Sequence, residues 1–468
     1  MEYLVMAGQL MLSLVILVTL HELGHFLPAR LFGTRVEKFY LFFDPWFALF
    51  KIRKVNGRWH FSSFLNKNED YPTERKDITE YGLGWLPLGG YVKISGMIDE
   101  SMDTEQMKGD PQPWEFRSKT AWQRLIIMLG GVTVNFILGF FLYGMVLWIW
   151  GEEYLPSQNA KYGIYVDSLG TELGLRDGDH ILAVGNKPFD KMNDRLVVQE
   201  IIINNASKIS VEREGQRLDL PVDAKFVDIL SRHENKDKIL FDARAPFVVA
   251  RFVKNAPAEG SGIKVDDQII ALNDVATPYF NDFQRLAREQ KNKEIKVTVL
   301  RDQKDTLSFR MVSTENGTIG IYPKGLRHFF EYQRQDYTFL QAMPAGVTKG
   351  WTFLVAQWKA FGQMFKGRIK VSESLGGLGS IGGMFGAEWI WERFWTMTAV
   401  LSLVLAFMNL LPIPALDGGH VMFLLYEMIS GRKPSDKFME WATTIGFILV
   451  LGLILYANGL DFFRWIFK

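Results

Sequence analysis

VTLHELGHFLPAR, residues 18–30, places two histidines and a glutamate where an uncharged apolar run ends. From Tyr3 to Leu20 no residue carries a charge. A helix gains about 1.5 Å per residue, so roughly 20 such residues cross a hydrocarbon core about 30 Å thick. His21 and His25 are four apart and fall on one face of a helix. Two imidazoles so placed reach one zinc ion at about 2.0–2.1 Å. Glu22, beside His21, is positioned to accept a proton from water, whose pKa such a metal lowers from about 16 to about 7. The bland reading is polar groups touching lipid headgroups at a helix end. Against it stands the cost of an ionisable residue at membrane depth, roughly 2.5–3.5 kcal/mol at the bilayer centre, which makes such clusters functional by default.

The rest of the 468-residue chain repeats the apolar theme. Leu125–Trp150, Phe394–Leu416 and Trp441–Leu460 are also uncharged. Four membrane helices are expected, within 1–29, 119–152, 391–430 and 438–468. The first is not a cleaved leader, because it has no basic start and no small-residue cleavage site. Arg30, Arg35 and Lys38 follow the first helix, and Arg432, Lys433 and Lys437 link the third and fourth. By the positive-inside rule both links are cytoplasmic, which places both termini and the middle region, about 155–390, outside. A net charge of +1 gives no field for nucleic acid. Without cysteine the chain has no disulfide or thiolate metal site, so any metal must use His, Asp or Glu, and there are only seven histidines.

The middle region repeats itself. LGLRDGDHILAVGNKPF (173–189) aligns with SGIKVDDQIIALNDVATPY (261–279), 88 residues later. Each copy reads as a turn, an alternating strand and a second turn, then a helical stretch and further alternating strands. The first resembles a PDZ domain in a circularly permuted arrangement. The second carries Asp266 where the first has Gly178, so a different turn is expected there. The two modules are assigned to 155–235 and 236–326. Residues 339–365 read with their flanks, 327–390, as an amphipathic helix on the outer surface.

Two histidines do not complete a catalytic zinc site. A metzincin-type third histidine is excluded, because Pro28 and Leu31 occupy the required places. Asp417, in NLLPIPALDGGHVMF (409–423), is the first charge after 23 uncharged residues. The first and third helices run in the same direction, so Asp417 and His21 fall at similar depth. The competing readings are Asp417 as a helix cap and His420 as the ligand. Pro412 and Pro414 break the helix just before, and irregular backbone at that depth is tolerated only against protein or a wet cavity.

HExxH in the first helix, NxxPxPxxDG in the third and paired PDZ-like modules between them resemble the site-2 protease family of intramembrane metalloproteases. The resemblance covers nearly the whole chain in order. It implies His21, His25 and Asp417 as ligands of Zn2+, Glu22 as the catalytic base, and Asn409, Pro412 and Pro414 as substrate contacts. LGWLPLGGYVKISG (83–96), within a cytoplasmic segment 30–118, resembles the family's membrane re-entrant β-hairpin and adds Leu88, Gly89, Gly90 and Tyr91 to those contacts. Asn135 matches the family's second-helix asparagine. Residues 41–80 are longer and more aromatic than in proteobacterial members, and SLGGLGSIGGMF (374–385) replaces a Gly-Pro motif.

The fold class expected is therefore a polytopic α-helical membrane protein with four transmembrane helices, a re-entrant β-hairpin and two extracytoplasmic α/β PDZ-like domains in tandem. The activity expected is zinc-dependent cleavage of the transmembrane segment of a single-pass protein in a bacterial inner membrane. A pre-trimmed anti-sigma factor or a remnant signal peptide would be such a substrate. A buried peptide bond must unwind, and an edge strand at Leu86–Tyr91 would pair with it. The PDZ-like modules would either exclude bulky partners or bind a peptide C-terminus. An inactive membrane PDZ scaffold would fit the topology but needs no general base at Glu22; a metal transporter would place His and Asp in membrane helices, but not a Glu beside paired histidines, nor large outer domains.

Overall fold

The computed structural model describes residues 2–55, 57–64, 78–87, 89–97, 109–235, 238–370, 372 and 375–466. They divide into two compact units. One comprises residues 1–151, 336–358 and 375–468, the other 152–335 and 359–374.

In the first unit, among the described residues, three helices are long and apolar enough to cross a membrane: α1 (Glu2–Leu31), α2 (Ala121–Trp150) and Lys437–Ile466. The third span expected from sequence is divided into Trp391–Asn409 and Asp417–Ser430. Pro412 and Pro414 lack the amide hydrogen that a continuous helix needs, and Ala415 takes φ 86°. The broken segment is clasped closely. A Cβ on Gly446 of the last helix would fall 1.5 Å from the Pro414 carbonyl oxygen. The helix pair α1–α2 is equally tight, since a Cβ on Gly130 would lie 2.0 Å from the Gly24 carbonyl oxygen. A Thr120–Gln123 capping box starts α2.

Between α1 and α2 the chain forms a five-stranded sheet. Its strands are β1 (Val36–Leu41), β2 (Phe50–Val55), β3 (Arg58–Ser63), β4 (Glu80–Leu83) and β5 (Tyr91–Ile94), in the order β3-β2-β4-β1-β5. This corrects the expected hairpin over 83–96. Its two arms, β4 and β5, do not pair with each other; β1 lies between them, parallel to β4 and antiparallel to β5. β1 uses both of its backbone edges, pairing Lys38–Leu41 with β4 and Val36–Tyr40 with β5, and its Val36 and Tyr40 side chains are fully buried. Tyr40 also donates a 2.5 Å hydrogen bond to the buried Glu80 of β4, which Arg53 and Lys51 of β2 pair with. Burial pushes the Glu80 carboxyl up, but Tyr40, Arg53 and Lys51 outweigh it and hold it below its ordinary range.

Helix Phe339–Phe365 forms as expected, but its first part packs on other helices rather than lying free on a surface. Small residues permit this: Gly346 meets the backbone of Gly144, and Gly350 meets the Phe140 ring. Trp358 contacts Phe407 edge-on.

The second unit contains two modules built alike. Strands His180–Val184 and Lys187–Pro188, helix Asp194–Asn204, and strands Lys208–Arg213 and Gln216–Pro221 have counterparts in the second. These are Gln268–Leu272, Val275–Ala276, Phe280–Ala287, Glu294–Arg301 and Asp305–Val312. Each has its own core, around Ile164, Leu175, Ile201 and Ile209 in the first and Phe247, Ile269, Val297 and Val299 in the second. Asp266 adopts φ 75° and Gly178 φ 91°, so the two turns share a left-handed conformation instead of differing. Asp tolerates that region better than most side chains. The module boundary also shifts. Phe241–Ala243 pairs with Ile164–Val166 and completes the first module, so the second starts at Phe247 and not at 236. Gln333–Gln335 returns to pair with Glu152–Tyr154 and belongs to this unit, not to the helical segment that follows.

Candidate metal centre

His21 and His25 lie on the buried face of α1, where the helical period stacks them one turn apart. Asp417 opens the helix after the proline break and is directed at both. Its Oδ2 is 3.3 Å from His21 Nε2 and 3.4 Å from His25 Nε2, and the two Nε2 atoms are 3.3 Å apart. Three donors thus stand at the corners of a nearly equilateral triangle. Tetrahedral zinc with bonds of about 2.0–2.1 Å separates neighbouring donors by about 3.3–3.4 Å. The triangle therefore fits zinc in size.

Hydrogen bonding fits as well. His25 Nδ1 is 2.9 Å from the Ile127 carbonyl oxygen. A carbonyl only accepts, so Nδ1 carries the proton and Nε2 presents a lone pair inward. His21 Nδ1 meets the Asn135 carboxamide at 3.0 Å, and Asn135 Oδ1 is otherwise buried without a partner. With its oxygen towards the ring (the two ends of a carboxamide are isosteric), Asn135 accepts from Nδ1–H and gives His21 the same tautomer. Asp417 Oδ2 is itself buried without a hydrogen-bond donor. Two imidazole lone pairs and a carboxylate oxygen thus converge with no proton between them, an arrangement that a cation satisfies.

Close backbone approach makes room for this. A Cβ on Gly131 of α2 would lie 2.3 Å from His25 Nε2 and 2.7 Å from His21 Cε1. Ser402 on the Trp391–Asn409 helix donates to the Asn135 carbonyl at 2.8 Å and ties α2 to that helix. These residues were missed in the sequence, although Gly130–Gly131, among bulky neighbours and four residues before Asn135, is a visible signal. So was the Ile127 carbonyl, which no sequence pattern marks.

The other expected site residues are placed as follows. Glu22 is buried on α1, and a Cβ on Gly90 would come within 3.3 Å of its Cγ. Gly89 and Gly90 lie in the loop between β4 and β5, and Leu88 lies outside the described residues. The Tyr91 side chain is committed to the sheet: it stacks on Tyr40 and Phe43 and donates to Asp44 Oδ1 at 2.8 Å. Asn409 ends its helix with Nδ2 3.3 Å from His21 Nε2. Pro412 and Pro414 form the break before Asp417. His420, one turn further along, is not part of the converging group; it packs edge-on against Phe423.

Among the described residues three donors converge and no fourth joins them, the pattern of catalytic rather than structural zinc sites. Comparison with known proteins gives the family. Residues 9–66 and 71–453 match Peptidase family M50, and the chain belongs to it. A regulator of sigma E protease from Haemophilus influenzae is 24% identical over 99% of this chain and 100% of its own length. The regulator of sigma-E protease RseP of Escherichia coli is 28% identical over 97% of each chain. A putative zinc metalloprotease of Neisseria meningitidis is 27% identical over 95% of this chain and 96% of its own. The protein is a multi-pass membrane zinc metalloprotease.

Proposed function

We propose that the enzyme cleaves the transmembrane segment of single-pass membrane proteins, with His21, His25 and Asp417 holding zinc and Glu22 as the base. The observation that carries this reading is the 3.3–3.4 Å triangle of donors, two of them buried on a membrane-length helix and the third opening the helix after the proline break. Zinc held there would supply Lewis acidity. Ile127 and Asn135 fix both imidazoles in the ligating tautomer. Glu22 takes the proton of the attacking water and passes it to the leaving nitrogen, so that acid and base are one group used twice.

The substrate helix must unwind before its peptide bond is exposed. Among the described residues β5 is the last strand of the sheet and pairs with β1. Its outer side, near Glu22, would offer backbone hydrogen bonds to an extended strand. Asn409 borders the strand's other side. In this reading the broken helix 391–430 is the third of four spans, the site faces the cytoplasm of a bacterial inner membrane, and the termini lie outside. The two modules are PDZ-like and filter partners by size, which favours a substrate already trimmed, such as a shortened anti-sigma factor.

Glu22→Gln tests the chemistry. Zinc content should remain stoichiometric while cleavage of a model transmembrane peptide disappears. Turnover at the parent rate would remove Glu22 from the mechanism.

A further inference from the structure

A cleft of about 540 Å3, counting its open mouth, lies where the helix Asp417–Ser430 meets the starts of α2 and of the last long helix. None of its lining residues is a metal donor. Its walls are of two kinds. Phe116, Phe423, Leu424 and Met439 make an apolar floor. That floor is continuous with the core around Leu125 and Val421, and Phe438 meets Phe423 edge-on. Above it stand three cations, Arg117, Arg124 and Lys433, with Glu427 as the acidic member of the lining.

The two arginines are fixed in place. The Arg117 side chain is 8% exposed and pairs with Glu115 at 2.6 Å. That of Arg124 is 7% exposed; it donates to Glu427 at 2.5 Å and to the Lys119 carbonyl at 3.1 Å. Among the described residues these bonds use two of the five N–H donors that a guanidinium carries. The carboxylates thus pin the guanidinium groups without exhausting them. The depth of the cleft is also defined. The membrane-length stretches 121–150 and 437–466 have 30 residues each, about 45 Å of helix, which matches a bilayer with its headgroups. Arg124 is near the start of one stretch, and Lys433 precedes the other by four residues. Both stand at the level of lipid phosphates.

We infer that this cleft binds one anionic phospholipid, its phosphate held by Arg117, Arg124 and Lys433 and its apolar part laid on Phe423, Leu424 and Met439. Basic pockets between membrane helices suit anionic headgroups. The apolar floor favours a lipid over free phosphate, which has nothing to place on it. The flank of a substrate is a poor occupant, because the segment beside a membrane span on this basic side is itself rich in Lys and Arg. The bound lipid joins α2, the helix that Asp417 opens and the last long helix at one point.

Native mass spectrometry of the full-length, zinc-loaded protein, titrated in detergent with phosphatidylglycerol or phosphatidylcholine of matched chains, tests this. One phosphatidylglycerol should stay bound where phosphatidylcholine does not. A cation beside a headgroup is worth about 5-fold in affinity, so Lys433→Gln, at an exposed position, should weaken binding about 5-fold. Arg432→Gln removes the same charge from the neighbouring residue, outside the lining, and should leave binding unchanged. Met439→Trp fills the floor and should weaken it as well. Arg124 is kept, since its loss would strand Glu427. Equal retention of the two lipids would overturn the inference. So would equal weakening by Lys433→Gln and Arg432→Gln, which means diffuse charge attraction. Displacement of the lipid by millimolar inorganic phosphate, with Met439→Trp without effect, would also overturn it and assign the cleft to the free ion.

Discussion

The two sides of the metal triangle are held in different ways. The histidines sit on an uninterrupted helix, and their spacing alone aims them at one point. Asp417 follows seven residues of broken backbone, and its aim depends on what clasps that segment from outside: Gly446 of the last helix, and Gly418 and Gly419 against the carbonyls of Leu410, Leu411 and Ile413. One side is local geometry. The other is tertiary packing.

Perturbing the sides separately sharpens this contrast. Asp417→Asn replaces a carboxylate with a poor ligand. Bound zinc and peptide cleavage should fall together, by more than the roughly 10–100-fold that supporting residues cost. Stoichiometric zinc in that variant would move the third ligand elsewhere, with His420 the first place to look. Gly446→Ala touches only the carboxylate side. An isolated helix gains about 1 kcal/mol from such a change, but here the added methyl meets the Pro414 carbonyl, and overpacking costs about 1–3 kcal/mol. Lower zinc affinity with an intact helix content is expected; unchanged affinity would show that the 410–416 segment is soft.

On the histidine side, Asn135→Ala removes the acceptor for His21 and should weaken zinc about 10–100-fold. Asn135→Asp keeps an acceptor and should recover part of the loss. If both variants bind zinc equally, His21 needs no partner at Nδ1. The smallest effect belongs to the sheet behind the site. Glu80→Gln leaves Tyr40 and Arg53 without their carboxylate and should cost about 1–3 kcal/mol of stability. Because the folded Glu80 carboxyl is held below its ordinary value of 4.5, its contribution is complete above that pH and is lost as pH falls through the folded value. Thermal unfolding followed into acid should show this loss in the parent and a flatter profile in the variant.

The same division explains what the sequence disclosed. His21, Glu22 and His25 are legible because a helix converts spacing into direction. The repeat is legible because each module satisfies itself within about ninety residues; Asp179–Arg213 and Asp267–Arg301 are the same ion pair 88 residues apart, each also reaching a turn carbonyl, of Gly174 and Gly262. The β4–β5 arrangement was misread because its organiser, β1, lies over forty residues before β5 and carries no turn signal linking them. The helix at 339–365 was read by its apolar periodicity, which fixes a face but not what covers it. The module boundary was misplaced because Phe241–Ala243 is only three residues long.

The Gly24–Gly130 contact has a mechanical consequence. Backbone touches backbone there, so no rotamer can change to loosen it, and α1 and α2 behave as one rigid jaw carrying the two histidines, Glu22 and Asn135. The segment from Asn409 to Asp417 is held as closely on its own side, where the Gly446 backbone meets the Pro414 carbonyl. An ion held by His21, His25 and Asp417 would then do more than chemistry: it would tie the broken segment to the α1–α2 pair at a third point, besides the two glycine contacts.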